Sequence, residues 1–250
     1  MKIDLKTSNI LVTGASRGIG AAIAQELGGA GARVAIHYNK NKDAANTIAQ
    51  SIGNDARIFK ANLADPAECE MLFNSVLDEF GDIDVIVNNA GTAITSPIDS
   101  ENWLDDWDET MAINLRAVGV LCKLAIRHFQ TRKGGRIINI SSRAAFRGDM
   151  AEYLAYAASK GGVVSLSKSI ARDFGKDGIT CFVIAPGWVK TDMAQITIDK
   201  YGEDYILKDL ALNRITEPSD ISPIVALLAS GLADHATGTT IDINAASYVH

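Results

Sequence analysis

Short runs of branched and aromatic apolar residues alternate with longer segments of helical periodicity along the whole chain. Residues 9–13, 33–38, 56–61, 84–88, 135–141, 179–185 and 240–244 read as strands. Residues 18–28, 43–52, 66–80, 105–131, 151–174 and 219–230 read as the helices between them. Strands that are short and almost continuously apolar are covered on both faces. The alternation therefore predicts an α/β protein, a doubly wound parallel sheet with helices on both faces. No repeat, low-complexity stretch or Pro/Ser-rich linker divides the chain, so 1–250 reads as a single domain. Residues 188–215 fit least well, with Trp188, Met193, Tyr201 and Tyr205 on a weak helical period.

The first strand-to-helix turn is Thr13-Gly14-Ala15-Ser16-Arg17-Gly18-Ile19-Gly20. Glycines there let the backbone turn sharply and approach a pyrophosphate, and the following helix offers free N–H groups to the anion. The spacing is G-x-x-x-G-x-G rather than G-x-G-x-x-G, but its place in the alternation makes a Rossmann-like dinucleotide fold the natural reading. The second strand ends His37-Tyr38-Asn39-Lys40, with no acid to accept from a ribose 2′-hydroxyl; the next acid is Asp43. Arg17 and Lys40 suit a 2′-phosphate instead, which favours NADP(H) and leaves NAD(H) possible. The alternative is that both are solvated surface charges. Asn88-Asn89-Ala90-Gly91 closes the fourth strand. Amide and small side chains at that edge suit a ligand in the sheet crevice, although an Asn/Gly turn explains them too.

Tyr156 and Lys160 are one helical turn apart, with Ser141-Ser142 upstream. A phenol is a weak acid, with a reference pKa of about 10. An ammonium at i+4 shares its helix face and favours the phenolate. A neighbouring hydroxyl can hold a carbonyl oxygen while the phenol gives or takes a proton, which interconverts a ketone and an alcohol. The spacing to Tyr156 favours Ser142, and Ser141 stays open. Tyr153 has no lysine at i+4.

The net charge of −6, without a basic block, argues against a nucleic-acid partner. No run approaches the ~18 apolar residues of a membrane span, and the N-terminus lacks the apolar core of a leader. Three well-separated cysteines suit free thiols in a reducing compartment, so a cytoplasmic location is expected. Neither the cysteines nor His37, His128, His235 and His250 have metal-ligand spacing, and no metal is expected. Trp103 and Trp107 read as packing residues at a helix entry rather than as a substrate mouth.

With these residues together, the chain resembles the short-chain dehydrogenase/reductase family over nearly all its length, about 8–244. The resemblance rests on the 13–20 turn, Asn88 to Gly91, Asn114, Ser142 with Tyr156 and Lys160, and Pro186-Gly187. It implies that Tyr156 is the general acid in reduction or the base in oxidation. Lys160 would lower the Tyr156 pKa and hold the nicotinamide ribose, Ser142 would polarise the substrate carbonyl, and Asn114 would anchor a water leading to solvent. Gly14, Ser16, Arg17, Gly18, Ile19 and Gly20 would hold phosphates and adenosine, with Tyr38, Asn39 and Lys40 at the ribose end. Asn62 and Leu63 would lie at the adenine, and Asn89, Ala90 and Gly91 near a ribose. Residues 184–191, including Pro186, Gly187 and Val189, would flank the nicotinamide, with Thr191 at its carboxamide. Residues 188–215 would form a substrate lid.

The resemblance also implies a homotetramer, with the helices of Asn114 and Tyr156 at the larger interface. The stripe Ala151, Leu154, Ala155, Ala158, Val163 and Leu166 would be its contact face. The look is closest to members that reduce 3-oxoacyl groups on an acyl carrier protein. Two departures stand out. Asp177 occupies a place commonly basic in those members and would repel an acidic carrier, although Arg132 and Lys133 remain available to attract one. Ala245-Ala246 replaces the usual Gly-Gly after the last strand, which suggests a modified C-terminal conformation. The reading favoured is a small-molecule ketone or secondary alcohol as substrate, with the acyl-carrier reductase, or a nucleotide-binding regulator without turnover, as the alternatives.

Overall fold

A computed structural model describes residues 3–132 and 134–249, with the backbone alone at Ile196; Met1, Lys2, Lys133 and His250 lie outside them. The described residues form a seven-stranded, wholly parallel sheet in the order β3-β2-β1-β4-β5-β6-β7. The strands are β1 (Asn9–Val12), β2 (Arg33–Tyr38), β3 (Arg57–Lys60), β4 (Val85–Asn88), β5 (Gly135–Ile140), β6 (Ile179–Pro186) and β7 (Thr240–Ile243). The helices are α1 (Gly18–Gly29), α2 (Lys42–Ile52), α3 (Pro66–Phe80), α4 (Trp103–Met111), α5 (Ala117–Arg132), α6 (Ala144–Arg147), α7 (Leu154–Phe174), α8 (Asp192–Tyr201), α9 (Glu203–Leu207) and α10 (Pro218–Ala229).

Successive strand side chains point to opposite faces, and here both faces are apolar. Ile10 and Val12 enter one layer and Leu11 the other; Val85 and Val87 oppose Ile86, and Ile138 and Ile140 oppose Ile137. The first layer is closed by Ile23 and Leu27 of α1, Ala45 of α2, and Ile221 and Val225 of α10. The second is closed by Leu72 and Phe73 of α3, Leu121 and Ala125 of α5, and Val163 and Ile170 of α7. Each fully buried Leu, Ile or Phe contributes roughly 1.5–3 kcal/mol, which is why neither face can be left open.

Local chemistry sets the helix ends. Asn41 accepts from the Ala44 N–H at 3.0 Å, and Asp65 accepts from the Ala67 N–H at 2.8 Å ahead of Pro66. The α3 helix stops at Gly81, whose φ of 78° is left-handed.

Several elements differ from the sequence expectation. The helix expected over 105–131 is broken by a π-helical turn, Ala112–Arg116, closed by the Ala117 N–H on the Ala112 carbonyl. One extra residue in a turn leaves the apolar pattern almost unchanged, so periodicity did not show it. A short helix, α6, lies after Ser142, and residues 188–215 contain two helices, α8 and α9. The apolar stripe on α7 is divided: Leu154 is 42% exposed, whereas Val163 is buried in the second layer and belongs to the core.

The turn after β7 is not relaxed by its alanines. Ala245 and Ala246 have φ of 51° and 53°, the left-handed region that glycine favours. The Ala245 carbonyl accepts from the Ala211 N–H at 2.8 Å, which ties this turn to the segment after α9. No described helix is long and apolar enough to cross a membrane.

Candidate active site

The order of strands reverses at β1, which lies between β2 and β4. In a doubly wound sheet that reversal opens a crevice at the carboxyl ends of the strands. Thr13 stitches its floor: its Oγ1 accepts from the N–H groups of Asn89 (2.9 Å) and Ala90 (3.0 Å). The Asn89 amide donates to the carbonyls of Thr13 (2.9 Å) and Gly14 (3.2 Å). Asn89 thus fixes the β4 loop against the glycine turn.

The turn itself fits an anion. Gly14 has φ 63°, and a Cβ there would stand 2.9 Å from the Ala90 Cα. Arg17 precedes α1 without a side-chain cap, and the first turn holds no acid, so the N–H groups of Gly18, Ile19 and Gly20 open toward the crevice. This is an open turn with free donors rather than a closed structural one. The Gly14 N–H is itself held by His37 Nδ1 at 2.9 Å, and His37 Nε2 donates to the Ala61 carbonyl at 3.0 Å. Burial holds the His37 pKa below its ordinary value, against the pull of the Ala61 hydrogen bond.

The two serines at the end of β5 separate cleanly. The Ser141 hydroxyl donates to the Lys160 carbonyl at 2.9 Å, and its N–H donates to Ile184 at 2.7 Å, so it fastens β5 to α7 and β6. The Ser142 hydroxyl accepts from the Ala144 N–H at 3.1 Å and lies near enough to the Tyr156 phenol to lower its pKa. Ser142 is therefore the hydroxyl at the phenol. Tyr153 is occupied elsewhere, 3.0 Å from Thr95 Oγ1.

The Tyr156 phenol is raised above its ordinary pKa by burial; Ser142 lowers it, Asp149 raises it and Arg143 lowers it. Lys160, expected to acidify the phenol, is not among the groups that set its pKa here. The Lys160 ammonium donates to the Ile140 carbonyl at 2.9 Å and lies 5.7 Å from the Tyr156 ring centre. Burial brings its own pKa down to about 8. Asn114, in the π-helical turn, donates to the Thr92 carbonyl (2.8 Å) and Ser159 Oγ (3.1 Å) and accepts from the Thr92 N–H (2.8 Å). Its side chain braces the loop after β4. That loop passes close by: a Cβ on Gly91 would stand 3.2 Å from Asn114 Oδ1 and 3.4 Å from Lys160 Nζ.

The remaining residues divide. Asn39, Lys40 and Asn62 border a cleft of ≈ 720 Å³, with Asp108, Glu109 and Arg116 also in its walls. Tyr38 and Leu63 do not reach it with their side chains; each is 6% exposed and belongs to an apolar layer. Strand alternation turns Tyr38 inward, and Leu63 closes the layer that contains α3. Arg17 is exposed, and its Nη1 meets Asp192 Oδ2 at 3.0 Å. Such a surface pair is worth about 0–1 kcal/mol, so a phosphate could replace the carboxylate. Ser16, partly exposed, lies in the same turn.

On the far side, Pro186 ends β6, and the Gly187 N–H donates to Ile243 at 3.1 Å. Val189 is buried and bridged to Thr216. Thr191 precedes α8, with its hydroxyl on the Val189 carbonyl at 3.2 Å. Trp103 and Trp107 stack at 5.1 Å, consistent with packing. Among the described residues, no cluster of His, Cys, Asp or Glu could hold a metal ion.

Sequence reasoning missed His37 as the strut of the glycine turn, and Arg143, a buried guanidinium directly after Ser142. Only Arg143's place beside Ser142 could have drawn attention to it. Arg132 was expected to be free for an acidic carrier; it is instead paired with Asp82 (2.9 Å) and Asp84 (2.6 Å).

A family profile described as enoyl-(acyl carrier protein) reductase matches residues 14–245. The 3-oxoacyl-acyl-carrier-protein reductase FabG of Haemophilus influenzae is 38% identical over 244 residues, covering 96% of this chain and 97% of that protein. The protein of the same name from Staphylococcus aureus is 36% identical, covering 97% of this chain and 99% of its own. A crystal structure of a short chain dehydrogenase from Burkholderia cenocepacia, in complex with NADP, superposes with a TM-score of 0.91 at 34% identity and covers 99% of both chains.

Proposed function

The chain belongs to the short-chain dehydrogenase/reductase family of NAD(P)-dependent oxidoreductases, and on that premise we propose that it uses NADP to interconvert a small ketone and a secondary alcohol. The observation that carries this reading is a half-buried phenol, Tyr156, whose acidity is raised by the Ser142 hydroxyl, one helical turn from the buried Lys160 ammonium and beside a helix N-terminus open to an anion. Bound NADP(H) supplies or accepts the hydride. Ser142 holds the carbonyl oxygen, Tyr156 delivers or removes its proton, and Lys160 stands ready to meet the nicotinamide ribose. Gly14 and the first turn of α1 hold the pyrophosphate, and Asn89 to Gly91 border the ribose. Arg17 and Lys40 support the choice of NADP over NAD.

The segment 188–215, tied down by Arg17–Asp192 and Arg143–Asp209 contacts, is read as the substrate lid. Buried free thiols at Cys69, Cys122 and Cys181 support a reducing, cytoplasmic setting. The exposed Leu154 on α7 supports self-association there, with a homotetramer as the expected assembly.

A second reading is favoured by the names of the relatives: reduction of 3-oxoacyl groups on an acyl carrier protein. Against it, Arg132 is consumed by Asp82 and Asp84, and Asp177 presents a carboxylate that accepts from Gln130 at 2.8 Å. Following reduced-nicotinamide absorbance with ketones, sugars, acyl thioesters and acyl carrier conjugates separates the two. Turnover confined to carrier conjugates would replace the small-molecule reading. Charge reversal by Arg17→Glu should weaken NADP far more than NAD, and equal weakening would remove Arg17 from the 2′-phosphate site.

A further inference from the structure

Arg143 is 5% exposed, as deeply buried as Lys160. It follows Ser142 directly, its N–H donates to the Pro186 carbonyl at 2.9 Å, and its guanidinium carbon lies 5.5 Å from the Trp188 ring centre. Its charge is felt at the Tyr156 phenol. It therefore lies beside the Ser142 and Tyr156 pair, between the ends of β5 and β6.

A guanidinium carries five N–H donors in a planar fork that matches a carboxylate. Elsewhere this chain uses the fork fully. Arg136 grips Asp234 through Nε (2.9 Å) and Nη2 (2.7 Å), and Arg214 grips Asp220 through Nη1 (2.5 Å) and Nη2 (2.7 Å). Arg143 does not. Asp209 Oδ2, just past α9, comes within 2.6 Å of Nη1, yet that buried nitrogen has no acceptor along its N–H directions. The guanidinium is thus paired by charge with Asp209 while its fork stays unfilled.

Asp209 is also a loose partner. Its side chain is 36% exposed, and it is shared with Arg147, whose Nη1 is 3.6 Å away. The other charges acting on Arg143 are Arg147, which opposes its ionisation, and Asp149, which favours it. Exchanging one carboxylate for another on Arg143 leaves the buried charge compensated, so the exchange avoids the penalty of an unpaired ion.

We infer that Arg143 is a specificity-determining residue that seats a carboxylate of the substrate, with Asp209 as the counter-ion that this carboxylate displaces. The inference rests on the carbonyl-reducing reading of the site and narrows it to small oxo acids and the corresponding hydroxy acids. An acyl thioester carries no carboxylate to offer there.

The test is calorimetric titration, with NADP saturating so that cofactor phosphates do not contribute, using the 2-, 3- and 4-oxopentanoates and their methyl esters. The wild type should bind at least one acid roughly 10- to 100-fold more tightly than its ester, the range of a charge-assisted hydrogen-bonded pair. Arg143→Gln should erase that ratio while leaving ester affinity nearly unchanged, and Arg143→Lys should retain part of it. Asp209→Asn, at a half-buried position, should increase it. Equal acid and ester binding by the wild type would overturn the inference. So would Arg143→Gln weakening both by one factor, because the Arg143–Asp209 pair would then only fasten the segment. Turnover is read separately by nicotinamide absorbance. Acids that bind selectively without being reduced would sink the proposed reaction and leave the carboxylate seat standing.

Discussion

The Lys160 ammonium donates to the Ile140 carbonyl at 2.9 Å and stands 5.7 Å from the centre of the Tyr156 ring. The lysine is thus anchored to the end of β5 rather than spent on the phenol. It is an ammonium buried among strand ends, and burial depresses its pKa from 10.5 to about 8. Near neutral pH this opposes folding by roughly 3 kcal/mol. Between about pH 8 and 10.5 the unfolded chain still holds a proton that the folded protein has lost, so wild-type stability rises with pH through that window. Lys160→Met removes the charge but orphans the Ile140 carbonyl, which costs about 1–3 kcal/mol. The variant should therefore melt higher than wild type at pH 7, with the gap shrinking toward pH 10. Calorimetric melting at several pH values reads this directly; a gap independent of pH would mean the charge is not the cause.

Ser142 carries the largest acidifying influence on Tyr156, ahead of Arg143. Removing it by Ser142→Ala should push the phenol pKa further up. Alcohol oxidation needs the phenolate, so its rate profile should move to higher pH. Ketone reduction needs the phenol and should keep its proton over a wider alkaline range. Tyr156→Phe should lower kcat by roughly 10²–10⁴-fold with NADP affinity largely retained. Near-normal turnover in that variant would remove Tyr156 as the acid.

The sheet was legible because parallel strands covered on both faces have to be apolar throughout, as Ile10-Leu11-Val12 and Val85-Ile86-Val87 are. The glycine turn and the Ser142, Tyr156, Lys160 set were legible because their chemistry depends on local spacing. What stayed hidden depends on contacts between residues far apart in the chain. Arg143 acquires meaning only when Asp209 and Trp188 fold against it. The direction of the Lys160 amine depends on the Ile140 carbonyl, which no i+4 rule contains. The side chains of Leu63 and Tyr38 turn into the apolar layers, a direction that their place at the strand ends did not reveal.

The turn after β7 stores strain that a substitution can release. Ala245 and Ala246 both sit at left-handed φ, 51° and 53°. That conformation costs an L-residue with a Cβ roughly 1–2 kcal/mol, whereas glycine brings an unfolded-state entropy cost of roughly 0.5–1 kcal/mol. Ala245→Gly and Ala246→Gly should each stabilise by about 0.5–1 kcal/mol, a rise in Tm of roughly 1–4 °C. Thermal melting checks this, and a fall in Tm for both would show that the methyl groups contribute packing that exceeds the strain.

His37 links acidity to the cofactor turn. Its Nδ1 accepts the Gly14 N–H at 2.9 Å and its Nε2 donates to the Ala61 carbonyl at 3.0 Å, an arrangement that only the neutral ring can make. Burial lowers its folded-state pKa below 6.5. The unfolded chain therefore takes up a proton more readily than the folded protein. The stabilisation is fully present above about pH 6.5 and is lost as pH falls through and below that value. Protonation would also turn the acceptor facing Gly14 into a donor and push the glycine turn away from its cradle. Wild-type Tm and NADP affinity should both decline between pH 6.5 and 5. In His37→Asn, whose amide oxygen can still accept from Gly14 but does not titrate, both should start lower and lose less over the same interval. Parallel declines in the two proteins would place the acid sensitivity outside His37.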